Sequence, residues 1–177
     1  MDGMNTVFFD VETQRIFDEV GGRQNIQALG LAAAVTYSTT TGTFRHYTEE
    51  KAADLIAELN AADLVVGFNV ISFDYAVLRA YGPLHPVRTV DMLDQIYRRL
   101  GFRISLDSLA KATLGINKSA DGLQAVRWYK EGRIQEILDY CQQDVEITRQ
   151  LYEYGQQNKH LKYQDRNYRL QMVPVSW

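Results

Sequence analysis

The run Val7-Phe8-Phe9-Asp10-Val11-Glu12-Thr13 constrains this chain more than any other stretch. Two aromatic residues and a β-branched one lead straight into an Asp-x-Glu pair, which predicts a buried strand ending in two acids. Side chains alternate along a strand, so Asp10 and Glu12 project from one face. Two carboxylates side by side at the mouth of an apolar strand repel each other and lose hydration, and they are hard to keep ionised without a counter-cation. Hard divalent cations such as Mg²⁺ and Mn²⁺ take oxygen ligands of this kind. Alone, the pair reads most simply as an acidic strand end. It acquires chemical meaning only if further acids reach it from elsewhere in the chain.

The segments that follow predict an α/β fold. Gln14 to Asn25 is polar, with Gly21-Gly22 as a turn signal. Ile26 to Tyr37 alternates as a second strand, Ser38 to Gly42 reads as a hairpin turn, and Thr43 to Tyr47 as a third strand. The period then changes. Glu49 to Ala62 is helical, with Thr48 as its expected N-cap, and Leu64 to Phe68 is a short buried strand. Ile71 to Tyr81 reads as a helix closed by Gly82-Pro83, and Val87 to Val90 as another strand. Helical patterns cover 92–100, 105–114, 122–130 and 134–154. A meander followed by strand–helix units gives a mixed sheet of three antiparallel and two parallel strands flanked by helices. Residues 1–157 are expected to form this domain, and residues 158–177 a β-hairpin or an extended arm.

A chain of 177 residues is long enough to bury a core of its own. No apolar run approaches the length of a membrane span, and the first residues lack the regions of a secretion signal. Cys141 is the only cysteine, which leaves no disulfide framework and no zinc cluster. The expected setting is therefore reducing and cytoplasmic. The net charge of −3 conceals an alternation. Residues 1–87 are net −6, 88–133 net +4, 134–157 net −4 and 158–177 net +3. This division suits an acidic metal-loaded centre with phosphate-contacting margins, and equally a surface of mixed charge. Arg98, Arg99, Arg103 and Lys111 form the first basic margin, and Lys159, Lys162, Arg166 and Arg169 the second.

Two more acids stand out. Asp74 follows Asn69-Val70-Ile71-Ser72-Phe73, one turn into the segment after a buried strand. Asp144 lies four residues after Tyr140, so the two share a helix face beside the apolar stripe Ile137, Cys141, Val145 and Thr148. In order and rough spacing, Asp10-x-Glu12-Thr13, Asn69-x-x-x-Phe73-Asp74 and Tyr140-x-x-x-Asp144 resemble the three motifs of the DEDD superfamily of 3′–5′ exonucleases, whose fold is ribonuclease H-like. Tyrosine four residues before the last Asp resembles the tyrosine subtype. The histidine subtype places its base five residues before, where this chain has Asp139. Leu106 to Ala110, Lys118 to Gly122 and Trp128 to Val145 look like stand-alone relatives of B-family polymerase proofreading domains.

The resemblance implies two Mg²⁺ or Mn²⁺ ions. Asp10 would bridge both, Glu12 and Asp144 would complete the first site, and Asp74 would serve the second. Tyr140 would orient the attacking water. The implied substrate is nucleic acid with a free 3′ end, favouring single-stranded DNA with RNA open, and the implied products are nucleoside 5′-monophosphates. Thr13, Asn69, Phe73 and Lys118 would contact it. For three of these a plainer role is open: a helix cap for Asn69, core packing for Phe73 and a solvated loop for Lys118. A helicase, polymerase or other repair or processing protein is an expected partner. The contrasting reading is a catalytically silent nucleic-acid-binding or scaffolding domain, against which the intact acid set argues. An aspartate phosphotransferase built on Asp10 would need an Asp where this chain has Glu12.

Overall fold

The computed structural model describes residues 3–117 and 120–177. Strand β1 (Thr6–Thr13) is the spine of a five-stranded sheet, and its two faces divide the core. Val7, Phe9 and Val11 point to one side and pack with Leu55 and Leu59 of helix α1 (Ala52–Ala61), and with Tyr75 and Leu78 of the short helix α2 (Tyr75–Leu78). Phe8 points to the other side, into a larger cluster with Ile137, Val145 and Leu151 of helix α6 (Ile134–Asn158). Asp10 and Glu12 continue the Phe8 row, so the pleat carries both carboxylates onto the α6 face.

The strand order is β3-β2-β1-β4-β5, with β2 Leu31–Ser38, β3 Thr43–Tyr47, β4 Leu64–Gly67 and β5 Thr89–Asp91. Strands β1, β2 and β3 pair antiparallel, and β4 and β5 run parallel to β1. The expected mixed sheet is the observed one. Around it lie helices α3 (Met92–Leu100), α4 (Leu106–Leu114) and α5 (Gly122–Lys130). No helix among the described residues is long and apolar enough to cross a membrane.

Three local expectations give way to the structure. Residues 23–28 coil as 3₁₀ turns rather than opening a strand, because Gly22 and Gly30, both at positive φ, turn the chain on either side of them. β2 therefore begins at Leu31. Thr48 does not cap α1: its hydroxyl donates to Glu50 Oε1 at 2.5 Å, and a 3₁₀ turn over Glu49–Lys51 precedes the helix. The helix expected from Ile71 is a wide π-type turn, Val70–Asp74, followed by only four α-helical residues. Gly67 permits this bend, since a Cβ there would meet Val70 Cγ1 at 2.1 Å.

The tail is a hairpin of β6 (His160–Gln164) and β7 (Leu170–Pro174). Leu161, Val173 and Val175 are buried in the same cluster as Phe8. The Trp177 ring stacks on Tyr152 at 6.0 Å, and its indole N–H donates to Tyr152 O at 3.0 Å. Thr113 of α4 both accepts from Lys162 N and donates to Lys162 O, which fixes the β6 edge. The hairpin is structural cover, and the extended-arm alternative is set aside.

Candidate active site

The acids converge at the end of β1. The β1–β2 register shifts between Glu12 and Thr13, so the strand is irregular just where its carboxylates leave the sheet. Glu12 is 8% exposed and Asp10 is half-buried. Asp74 reaches the same place from the π-type turn, and its Oδ1 accepts from the Val11 amide at 3.0 Å. That bond places the Asp74 carboxylate against the residue lying between the two β1 acids. Burial, then the charge of Asp10, push the Asp74 carboxyl well above the usual carboxylate range, and the Val11 amide only partly opposes this.

Asp144 arrives from the middle of α6 and is 6% exposed. Its backbone carbonyl accepts from the Thr148 hydroxyl at 2.8 Å, inside the helix. One turn earlier, Tyr140 is buried edge-on against Trp128 of α5, with ring centroids 6.2 Å apart. Cys141 is fully buried, and its thiol donates to the Asp10 carbonyl at 3.2 Å, with Asp10 Oδ2 at 3.6 Å. Burial first, and then the charges of Asp10, Glu12 and Asp144, raise the thiol well above its usual range. It stays protonated and serves as a packed donor. Ligand atoms of Asp10, Glu12 and Cys141 lie within 4.8 Å of one another.

Asp10, Asp74 and Asp144 share a cleft of about 420 Å³, whose far wall includes Asn69, Phe73 and Arg103. A second cleft of about 490 Å³ lies on the other side of Phe73 and takes in Glu12, Thr13, Phe17 and Leu123. Phe73 is thus the partition, with its ring edge against Phe17 at 6.1 Å. Asn69 and Phe73 line the cleft of the three aspartates, Glu12 and Thr13 line the second cleft, and Tyr140 lines neither. The Thr13 hydroxyl donates to Arg15 O at 2.9 Å, which gives it a local turn-forming role. Lys118 lies outside the described residues. His46, His85 and His160 do not line this cleft. His46 instead meets Gln142 Oε1 at 2.6 Å.

One functional acid escaped the sequence reading. Asp91, at the end of β5, is buried and takes three amide hydrogen bonds. Its Oδ1 accepts from Asn69 N at 2.9 Å and Asp94 N at 3.2 Å, and its Oδ2 accepts from Ile71 N at 3.0 Å. It therefore caps α3 and holds the π-type turn that presents Asn69 and Asp74. Asn69 sits at φ 64°, the left-handed region, and its side chain accepts from Ser72 Oγ at 2.8 Å instead of capping a helix. The available signal was an acid ending a short apolar strand directly before a helix.

One acid pair thus comes from the central strand, a third acid from the turn after β4 and a fourth from the long helix α6. The RNase_H_2 model of the RNase_H superfamily matches residues 7–156. The chain belongs to the RNase H superfamily. The match runs from the start of β1 nearly to the end of α6, so all four acids lie inside it. A search of curated proteins returned no match. Membership carries a nuclease-like, nucleic-acid-processing role and, for nucleases of this fold, dependence on divalent metal. The donor set fits such ions: Asp10, Asp74 and Asp144 line one cleft, and a carboxylate oxygen of Glu12 lies within 4.8 Å of one of Asp10.

Proposed function

We propose that this RNase H-like chain is a divalent-metal-dependent 3′–5′ exonuclease. It would act on single-stranded nucleic acid, DNA in preference, and release nucleoside 5′-monophosphates. The observation carrying this reading is the meeting of Asp10, Asp74 and Asp144 in one cleft, although they come from a strand, a crossover turn and a distant helix. With Glu12 they would hold the Mg²⁺ or Mn²⁺ ions. The chemistry such ions supply is acidification of a water and stabilisation of the leaving 3′ oxygen. The protein's own residues do the positioning. Asn69 and Phe73 face the terminal nucleotide at the cleft wall, and the partition by Phe73 favours a strand end over a continuous strand. Tyr140, one helical turn from Asp144, orients the attacking water through its hydroxyl.

The test uses 5′-labelled single-stranded DNA and RNA with Mg²⁺, Mn²⁺ or EDTA. The expected result is a metal-dependent ladder shortening from the 3′ end, blocked by a 3′-terminal phosphate. Digestion of a circular single strand at the same rate would make the enzyme an endonuclease. No cleavage with either metal would leave a binding domain.

A further inference from the structure

A third cavity, of about 750 Å³, lies between the loop at residues 102–105 and the C-terminal hairpin. Arg103, Ile104 and Ser105 line both this cavity and the acidic cleft, so the two adjoin along that loop. Phe102 forms its base, 46% exposed and edge-on to Tyr163 of β6 with ring centroids 6.0 Å apart. Arg166 and Asn167 of the hairpin turn form its outer wall. Asp165 is the acid in that wall, and the Asn167 and Arg169 amides and Gln171 Nε2 donate to it at 2.8, 3.0 and 3.0 Å. Those bonds hold Asp165 ionised and tied into the turn, and the exposed Arg103 and Arg166 outnumber it, so the lining is net positive.

We infer that this groove is the track for the single strand from the second nucleotide 5′ of the scissile bond onward, with Phe102 stacking a base and Arg103 and Arg166 contacting phosphates. The inference rests on the exonuclease reading for its direction. An exposed aromatic ring and two arginines lining one cavity match what a single strand offers, a π face on every base and a charge on every phosphate. The hairpin therefore has two faces with different work. Leu161, Val173 and Val175 cover the core, and the turn reaches the substrate.

The test compares Arg166→Glu, Phe102→Ala and the charge-matched Arg45→Glu, which lies on the far edge strand β3. Two readouts are taken: anisotropy of a labelled ten-residue strand in EDTA, and steady-state hydrolysis of that strand and of a dinucleotide with Mn²⁺. One lost phosphate contact on a single strand lowers the salt slope by about 0.7, which at about 50 mM salt is roughly eightfold in affinity. Phe102→Ala is expected to cost roughly fivefold or more through lost stacking. Both variants should raise KM for the long strand, spare kcat and leave dinucleotide hydrolysis unchanged, Arg166→Glu without a change in melting temperature, while Arg45→Glu changes none of these. Equal loss on the dinucleotide, or affinity for the ten-residue strand matching that of the wild type, would overturn the track. Wild-type binding that is sensitive to Arg166→Glu, without any hydrolysis, would uphold the groove and remove the exonuclease reading.

Discussion

Asp91 offers the sharpest test of how this site is held, because it reaches the cleft only through what it anchors. In Asp91→Ala, three amide donors lose their carboxylate: Asn69, Ile71 and Asp94. Loss of the α3 cap costs about 1 kcal/mol. The other two bonds are only partly buried, so water replaces part of each, and about 1 kcal/mol apiece is appropriate. The total of roughly 3 kcal/mol corresponds to a fall in melting temperature of about 6–12 °C for a chain of this size. Asp91→Asn keeps Oδ1 for Asn69 and Asp94 but turns an NH₂ group toward the Ile71 amide, so it should fall between the two. Urea unfolding measures the stability. Hydrolysis measured below the transition should show reduced kcat in both variants, because Asp74 and Asn69 are no longer presented at fixed positions. An Asp91→Ala protein with wild-type stability and turnover would refute the anchoring role. Wild-type kcat in a destabilised Asp91→Ala protein would confine Asp91 to structure.

Asp10→Ala and Asp144→Ala should each lower hydrolysis by roughly a thousandfold or more, several kcal/mol of transition-state stabilisation, without lowering the metal-free melting temperature. Unchanged turnover in either variant would break the ligand assignment. Asp74 carries a pH signature. Its folded carboxyl lies above the unfolded value, so in EDTA it subtracts stability as pH rises from the ordinary carboxylate range through the raised folded value. The difference in melting temperature between wild type and Asp74→Asn should therefore grow by roughly 3–5 °C per pH unit within that window, with the variant the more stable. A less stable variant at neutral pH in EDTA would contradict this sign. Gly155→Ala would bring a Cβ to 2.7 Å from the Trp177 ring, and overpacking of this kind costs about 1–3 kcal/mol. In a Trp177→Ala background the same change should cost much less, and two equal penalties in thermal melts would show that the ring is not the obstacle.

Where the sequence was clear, one period and one boundary agreed. The 92–100, 106–114 and 122–130 helices follow their apolar spacing closely, and each has an acid or serine accepting at its N-cap. Asp10 and Glu12 were legible because the two-residue repeat of a strand settles which face they share. The helix over Ile71 to Tyr81 was misread because its apolar spacing cannot show the wide turn that Gly67 and Val70 impose. Thr13 lines the second cleft together with Glu12, and the irregular register that follows Glu12 is not visible in the residue pattern. Asp91 was overlooked because its partners are backbone amides 20 and 22 residues away, and amides carry no mark in a sequence.

Helix α6 bears Asp144 near its middle, while its far end is clamped by Trp177 stacked on Tyr152. Leu161, Val173 and Val175 close the same apolar cluster that supports Phe8 beneath the β1 acids. A polypeptide emerging from the ribosome would expose all four carboxylates by Asp144, yet the cover for α6 would still be in the exit tunnel. Long-range pairings of this kind form late, after the loops between them have closed. Catalytic competence would therefore wait for the hairpin, and chains still lacking it would stay inert toward nucleic acid.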